Sequence, residues 1–510
     1  MSKADSDVGE VYLIGAGPGD PGLLTLRGAE LLGRSDVVLY DGLSNRQLLD
    51  HAPAAEHICV GKHGQSRIWK QPEIIDEMIR HANAGRTVSR LKGGDPAVFA
   101  RTAEEVDALL EAQIPFQIVP GITAALAAGS YAGIPITHRK MASAVALVTG
   151  HEEPGKEKSA LDWDALAKFP GTLVIYMGVT TARMWTSALM DSGKPADTPV
   201  AIVRRCSLSD QQTVQCNLGE VADHLTPASK LRPPVIVILG PVTELAQTMD
   251  WIGRRPLFGK TVLVTRPQQQ AESLGRLLRE QGATVVYQPA IKIGPPKDQQ
   301  ALDQAIDQLD SFDITVFCSR NAVEYFFRRM AERKLDARSL ARCKIAVVGK
   351  QTAASLEQYG IIPDIVPQEF TADALGRTLA PDVSGSKILL PRASRGGKEL
   401  AQTLTSAGAS VHEVIAYEHQ DITNANTDVL QMLGESKIDW VTVASSATAA
   451  SLHHLFGDKL GKAKLASLSP VTTAALEQLG YRVETEASSY TMQGLVASMS
   501  LSMDETTPTD

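Results

Sequence analysis

The chain has no excess of positive charge: 50 lysines and arginines stand against 58 aspartates and glutamates, a formal net charge of −8. A surface that tracks nucleic-acid phosphates leaves a basic excess, so this balance argues against a nucleic-acid binder. It leaves open an anionic small substrate, which needs only a local cluster of donors. Cysteines are few. The five, Cys59, Cys206, Cys216, Cys318 and Cys343, include no Cys-x-x-Cys pair, which argues against a disulfide or metal framework and predicts buried, reduced thiols. No apolar run approaches the length of about 18 residues that a membrane span requires. The opening MSKADSDVGE also lacks an apolar signal region. These absences predict a soluble, cytoplasmic protein with no membrane and no nucleic-acid partner. The polar, acidic tail, residues 501–510, reads as disordered.

What is present is a large globular chain in two unlike halves. An apolar share of 44% over 510 residues fits several packed domains. Between residues 11 and 133, β-rich runs alternate with helical patterns: VYLIGAG then LLTLRGAELLG, DVVLY then SNRQLLDHA, HICVGK then PEIIDEMIRHA. That alternation predicts an open, mainly parallel α/β sheet. After Arg139, AVALVTGH, TLVIYMGV, PVAIVRRC, TVQCNL and PVIVILGPV predict a second α/β domain. The expected division is 9–139 and 140–250, a Gly/Pro/Arg-containing linker at 251–257, and a second half at 258–500.

The second half repeats itself. GKTVLVTRP at 259–267 returns as GSKILLPRA at 385–393, and DITVFCS at 313–319 returns as DWVTVAS at 439–445, both at one spacing. TAASLEQYG at 352–360 returns as TTAALEQLG at 472–480, and Thr371 as Thr491, at a slightly shorter one. A long-period repeat predicts two similar globular lobes, because solenoid units recur every 20–50 residues or so.

Glycine-rich turns mark the first half. Gly15-Ala16-Gly17-Pro18-Gly19-Asp20 sits between strand and helix, where glycines let a ligand approach the backbone. A dinucleotide fingerprint would end in glycine rather than Asp20, and Pro18 removes an amide from any phosphate cradle. Asp41, Lys62, Gly93-Gly94-Asp95-Pro96 and the Pro120–Ala124 turn also fall at strand ends. Strand C-termini of an open α/β sheet converge on one crevice, so these residues can share a site. Each alone is equally a structural turn or a surface charge.

In order across 11–178, VYLIGAGPGDPGLLTLRGAELL, VVLYDGL, VGK, RLKGGDPAVF, VPGITAA, GIPITHR, VTGH and YMG resemble the tetrapyrrole methylase family. Within it they are most similar to the uroporphyrinogen-III C-methyltransferases. The resemblance implies two α/β domains, S-adenosylmethionine in the cleft between them, and a homodimer. By motif it implies that Pro18, Gly93, Gly94, Asp95, Val98, Thr123, Ala124 and Met177 line the cofactor pocket, with Cys206 on the adenine side. Asp41 would be the proton acceptor and Lys62 the proton donor. Val203–Ser207 departs from the glycine-containing turn of that family near Cys206. Lys62, Arg27 and Arg139 are candidates for holding substrate carboxylates, and a plain salt bridge is the alternative for each arginine.

TVLVTRP, ITVFCSRNAVEYF, KIAVVGKQTAASL, KILLPRASRGGKEL, HEVIAYEH, WVTVASSATAASL and LASLSPVTTAAL resemble uroporphyrinogen-III synthase. This implies a two-lobed, flavodoxin-like fold, with one lobe at 258–290 plus 418–500 and the other at 291–417, and no cofactor. No catalytic triad, carboxylate pair or metal spacing occurs there. Hydroxyls recur at strand-to-helix turns instead, among them Ser319, Thr352, Ser445 and Thr472. They serve as helix caps or as carboxylate contacts, two roles that are compatible. Tyr417 matches the family's tyrosine at the lobe crossover and is a candidate hydrogen-bond donor to a departing hydroxyl, or a cleft wall. The expectation is a bifunctional enzyme that closes hydroxymethylbilane to uroporphyrinogen III and methylates it twice to precorrin-2. Methylation of a later corrin intermediate and non-catalytic ligand binding are the alternatives.

Overall fold

The computed structural model describes residues 8–61, 69–151, 160–226, 228–229 and 231–504. They form two compact units, one built on the chain up to Lys260, the other on Thr261–Leu277 and Val285–Ser502. Leu278–Thr284 group with the first unit, where Leu257 N donates to Gln281 O (2.9 Å) and Thr284 N to Lys260 O (2.8 Å).

The first unit holds two five-stranded sheets. Strands β1 (Val11–Gly15), β2 (Val37–Tyr40), β3 (Glu56–Cys59), β4 (Val88–Lys92) and β5 (Phe116–Val119) run parallel in the order β3-β2-β4-β1-β5. β1 and β4 are buried throughout, as central strands covered on both faces must be. Strands β6 (Val145–Thr149), β7 (Thr172–Tyr176), β8 (Pro199–Arg204), β9 (Gln212–Asn217) and β10 (Val235–Leu239) form the order β6-β7-β10-β8-β9. Only β6 and β7 are parallel there; β10 runs against both β7 and β8, and β9 against β8. Helix Ala124–Tyr131, which follows β5, packs Ala125 and Ala128 into one core with Val174, Ile236 and Ile238 of the second sheet. The two sheets are thereby held together by alanines small enough for close approach.

The stretch read as a linker is packed. Ile252 and Leu257 are buried, Trp251 Nε1 donates to Ser130 O (2.8 Å), and the Arg255 guanidinium lies 4.5 Å from the Trp251 ring centre. Its glycine and proline therefore shape turns on the first unit rather than a free tether.

The second unit also has two five-stranded sheets. In chain order its strands are β11 (Thr261–Val264), β12 (Thr284–Tyr287), β13 (Ile291–Gly294), β14 (Ile314–Phe317), β15 (Lys344–Val347), β16 (Lys387–Ala393), β17 (Ser410–Asp421), β18 (Trp440–Val443), β19 (Lys464–Ser467) and β20 (Val483–Glu486). The sheet orders are β12-β11-β18-β19-β20 and β13-β17-β16-β14-β15. The chain passes from one sheet to the other between β12 and β13 and returns after β17. The two passages are laced together, since Ile422 N donates to Ala290 O (3.0 Å) and Asn426 N to Gln288 Oε1 (2.8 Å).

Helix Met492–Asp504 runs into the tail read as disordered. Met499 is fully buried, and the hydroxyls of Ser500 and Ser502 bond back to the carbonyls of Val496 and Ser498 (3.0 and 2.7 Å), which carries the helix to Asp504. Residues 505–510 lie outside the described residues. Among those described, no helix is long and apolar enough to cross a membrane.

Candidate functional site

The parallel sheet of the first unit brings its strand ends to one edge. Gly15 ends β1, and Asp41, Gly93–Asp95 and Pro120–Gly121 follow β2, β4 and β5. Three glycines meet there backbone to backbone. A Cβ on Gly121 would lie 2.3 Å from Gly94 O and 2.7 Å from Gly15 Cα, and Gly17 and Gly94 exchange amide bonds (3.1 and 2.9 Å). By contrast a Cβ on Gly93 meets nothing within 4 Å, so this backbone faces open space. Asp95 braces the crevice, accepting Ala97 N through Oδ1 (2.7 Å) and Gly121 N through Oδ2 (2.9 Å). Asp41 Oδ2 accepts the Gly93 amide (3.2 Å), which sets a carboxylate beside the open glycine.

The second sheet closes the other side. Tyr176, the last residue of β7, holds Thr123 Oγ1 (2.6 Å) and accepts Ala125 N (2.8 Å). Met177 follows with φ 52° and an exposed side chain. After β8, Arg205 (φ 50°) and Ser207 (φ 66°) occupy the left-handed region, which favours glycine. Ser207 Oγ in turn accepts Asp20 N (3.0 Å), tying this loop to the first glycine turn. Asp20 is structural as well, accepting Gly22 N (2.8 Å) and the Tyr131 hydroxyl (2.7 Å). Backbone strain gathered at the mouth of a crevice is a mark of ligand sites.

Several sequence candidates stand elsewhere. Arg27 is held by Glu30 (2.8 Å) and Gln117 (2.9 Å), so its guanidinium is engaged in a surface network; a partner ninety residues away is invisible to local reading. Arg139 is exposed on the His138–Ala142 turn. Cys206 is buried with its thiol toward Ala124 O (3.9 Å), and burial pushes it up to about 12, so it meets no ligand as a thiolate. Lys62 lies outside the described residues. Pro18 and Val98 are half-buried beside the crevice turns. Sequence reading missed Tyr176, and it missed Arg90, Lys92 and Glu105, although two charges alternating in a strand were a signal.

In the second unit, Tyr417 on β17 and Ser319 after β14 come together, their hydroxyls 3.0 Å apart. Tyr417 is buried between Tyr325 and His419, with ring centres at 5.9 and 5.2 Å. Burial raises its phenol above the usual range against the opposing bonds from Ser319 and Asn321. Arg266, after β11, donates to Gln270 (2.7 Å), and Gln270 donates to Asn321 (3.3 Å), so one polar chain links the ends of both sheets. Burial and the neighbouring Arg320 lower the Arg266 guanidinium, which marks a spot that favours an anion. Ser319 and Ser445 accept Ala322 N and Thr448 N (both 3.1 Å) as helix caps. Thr352 and Thr472 are buried inside helices Lys350–Glu357 and Pro470–Gln478. Capping or packing thus occupies each of these hydroxyl positions, and only Ser319 also meets Tyr417.

The family of tetrapyrrole (corrin/porphyrin) methylases matches residues 10–222, and the family of uroporphyrinogen-III synthase HemD matches residues 272–497. A porphyrin biosynthesis protein HemD from Ruminiclostridium josui is 35% identical over 86% of this chain and 87% of its own length. The chain belongs to this family, a tetrapyrrole methylase fused to a uroporphyrinogen-III synthase. A uroporphyrinogen-III C-methyltransferase of Bacillus subtilis is 37% identical over 69% of the chain and 72% of its own. A Methanosarcina barkeri protein described as an S-adenosyl-L-methionine-dependent uroporphyrinogen III methyltransferase is 47% identical over 46% of the chain and 93% of its own. In this fused enzyme the first crevice therefore belongs to the methylase and the Tyr417 cluster to the synthase.

Proposed function

We propose that the synthase half closes hydroxymethylbilane to uroporphyrinogen III and that the methylase half converts this product to precorrin-2, toward siroheme and cobalamin. The observation that carries the methylase reading is the open Gly93 backbone with the Asp41 carboxylate bonded to its amide. A glycine cradle with space before it fits S-adenosylmethionine, and Pro18, Gly93, Gly94, Asp95, Val98, Thr123, Ala124 and Met177 would hold it. When bound, the cofactor supplies an activated sulfonium methyl group. Asp41 stabilises positive charge that develops on the macrocycle and accepts a proton; Lys62 is its proposed counterpart as donor, and Arg139 is poised for a substrate carboxylate. Alignment of the two reactants contributes most, and a positioned acid or base about 10²–10⁴-fold.

In the synthase, Tyr417 donates to the departing hydroxyl of the bilane, with Ser319 fixing the phenol. Arg266 and Arg320 attract the carboxylates of the folded substrate, and folding between the sheets decides which end of ring D attacks. Two flavodoxin-like lobes arising by duplication are the reading for this half, supported by matching caps: Ser319 (φ −159°, ψ 156°) and Ser445 (φ −162°, ψ 161°). The working halves are taken as 9–250 and 258–500, with the methylase half forming a homodimer. Five unpaired thiols fit a reducing, cytoplasmic setting.

The test incubates pure protein with hydroxymethylbilane, with and without S-adenosylmethionine. Uroporphyrinogen III is expected without the cofactor and precorrin-2 with it. Binding without turnover would leave a ligand-binding protein, and methylation of a later corrin alone would move the substrate.

A further inference from the structure

Arg90, Lys92, Glu105 and Asp41 form a buried line of charge to which the reading above gives work only at its outer end. Arg90 and Lys92 stand two apart on β4, so both side chains leave one face of the sheet. They are 5% and 3% exposed, and Glu105, from helix Thr102–Glu111, has no exposed side-chain surface. Glu105 receives the Lys92 ammonium, Arg90 Nε (3.4 Å) and Gln71 Nε2 (3.1 Å). Arg90 Nη1 donates to Leu91 O (3.2 Å) and Leu39 O (3.5 Å), and Nη2 to Asp41 Oδ1 (2.6 Å). Every nitrogen of the guanidinium has a fixed acceptor. The line ends at Asp41, whose side chain is 31% exposed at the crevice.

Such a line is an expensive way to join a strand to a helix. Desolvation costs several kcal/mol for each ion, and apolar side chains of the same volume hold elements together as well or better. Burial also lowers the Lys92 ammonium from the usual lysine range, a penalty that Glu105 offsets. What apolar packing cannot do is fix the direction of a carboxylate. We propose that Arg90 is a positioning residue for Asp41 and that Glu105 positions Arg90, so that the buried line aims the carboxylate at the reacting macrocycle. The inference rests on the assignment of Asp41 to the chemistry. Arg90 pins Oδ1 and the Gly93 amide pins Oδ2 (3.2 Å), which fixes the carboxylate plane at two points. Its burial serves a second end. A substrate bearing several carboxylates would capture an exposed guanidinium in a bidentate pair, whereas Arg90 is clamped by Glu105 and screened by Asp41.

A double-mutant cycle of Arg90→Lys with Asp41→Asn in the full chain tests this. Its readouts are kcat for methylation of supplied uroporphyrinogen III, KM for S-adenosylmethionine, and S-adenosylhomocysteine affinity by calorimetry, which also reports folding of the methylase half. Arg90→Lys is expected to lower kcat about 10²-fold, the cost of a misplacement near 1 Å. KM for the cofactor and product affinity should stay within about twofold, and in the Asp41→Asn background Arg90→Lys should change kcat by no more than that. Additive losses, or affinity falling in step with kcat, would make the line a scaffold and overturn the inference. If Asp41→Asn slows turnover while Arg90→Lys does not, this inference fails alone; if Asp41→Asn leaves turnover intact, the Asp41 assignment fails with it. Should Arg90→Lys not fold, Glu105→Gln takes its place in the cycle at nearly equal volume. The same non-additivity is then expected, with Glu105→Asp recovering part of the turnover, and an additive or absent effect overturns the proposal.

Discussion

Tyr417 and Ser319 lie almost a hundred residues apart and meet at 3.0 Å, so the role proposed for Tyr417 rests on one phenol. Tyr417→Phe keeps the ring stack on Tyr325 and removes only the hydroxyl. It is expected to slow cyclisation and to raise the fraction of uninverted type I product, since the bilane closes spontaneously once its hydroxyl has left. Chromatographic separation of the two isomers checks this, and methylation of supplied uroporphyrinogen III should be unchanged. A fully retained rate with pure type III product would reduce Tyr417 to a wall. Single residues were legible in sequence where a turn betrays them: Asp41, Gly93, Gly94 and Thr123 all stand at strand ends within short glycine motifs. Arg27 takes the salt-bridge alternative, and Tyr176 was missed, for one reason. Each takes its role from a partner in another element, Gln117 for the first and Thr123 for the second, and local pattern carries no such information.

At the scale of elements, the glycine meeting point at the ends of β1, β4 and β5 has no side chain that can yield. Gly121→Ala would drive a Cβ into Gly94 O and Gly15 Cα, both backbone. The expected outcome is a methylase half that loses S-adenosylmethionine binding by calorimetry while bilane cyclisation continues. In the other unit, Asp421 at the end of β17 accepts Arg395 (2.9 and 2.5 Å) and Ser451 (2.6 Å), and the bond from Arg395 is the chief reason its carboxyl is held down to about 2. Its folded value lies below the unfolded reference of about 3.9. The stabilisation is therefore complete above that reference and is lost as pH falls toward 2. Asp421→Asn should lower the urea midpoint of the second unit at pH 7, and the gap from the parent protein should close below about pH 4. A gap undiminished at pH 2 would place its origin outside the ion pair. Strand and helix types were readable because their periodicities are local. The antiparallel course of β8, β9 and β10 was not, since pairing direction is set by which strands become neighbours.

For the whole molecule, family and activity were legible because ordered motifs cover both halves, but the packing of the stretch at 251–257 was not. Glycine and proline suggested a tether, yet Ile252 and Leu257 are buried and Trp251 is anchored to Ser130. A fragment ending at residue 260 is accordingly expected to melt higher than one ending at residue 250. Burial of Ile252 alone is worth about 1.5–3 kcal/mol, and each kcal/mol shifts the melting point by about 2–4 °C at this size. Calorimetry of the two fragments decides it, and equal melting points would return the stretch to the status of a tether. The paired crossing of the second unit has a mechanical consequence. A lone strand between two sheets would act as a ball joint, free to swivel in any direction. Two strands bonded through Ile422 and Ala290 act as a door hinge, because bending the ribbon keeps that bond while sliding one strand past the other breaks it. If the substrate folds between the sheets as proposed, a widening of that gap would follow a single arc, admitting a flexible linear bilane and releasing a stiff macrocycle by one movement run in opposite directions.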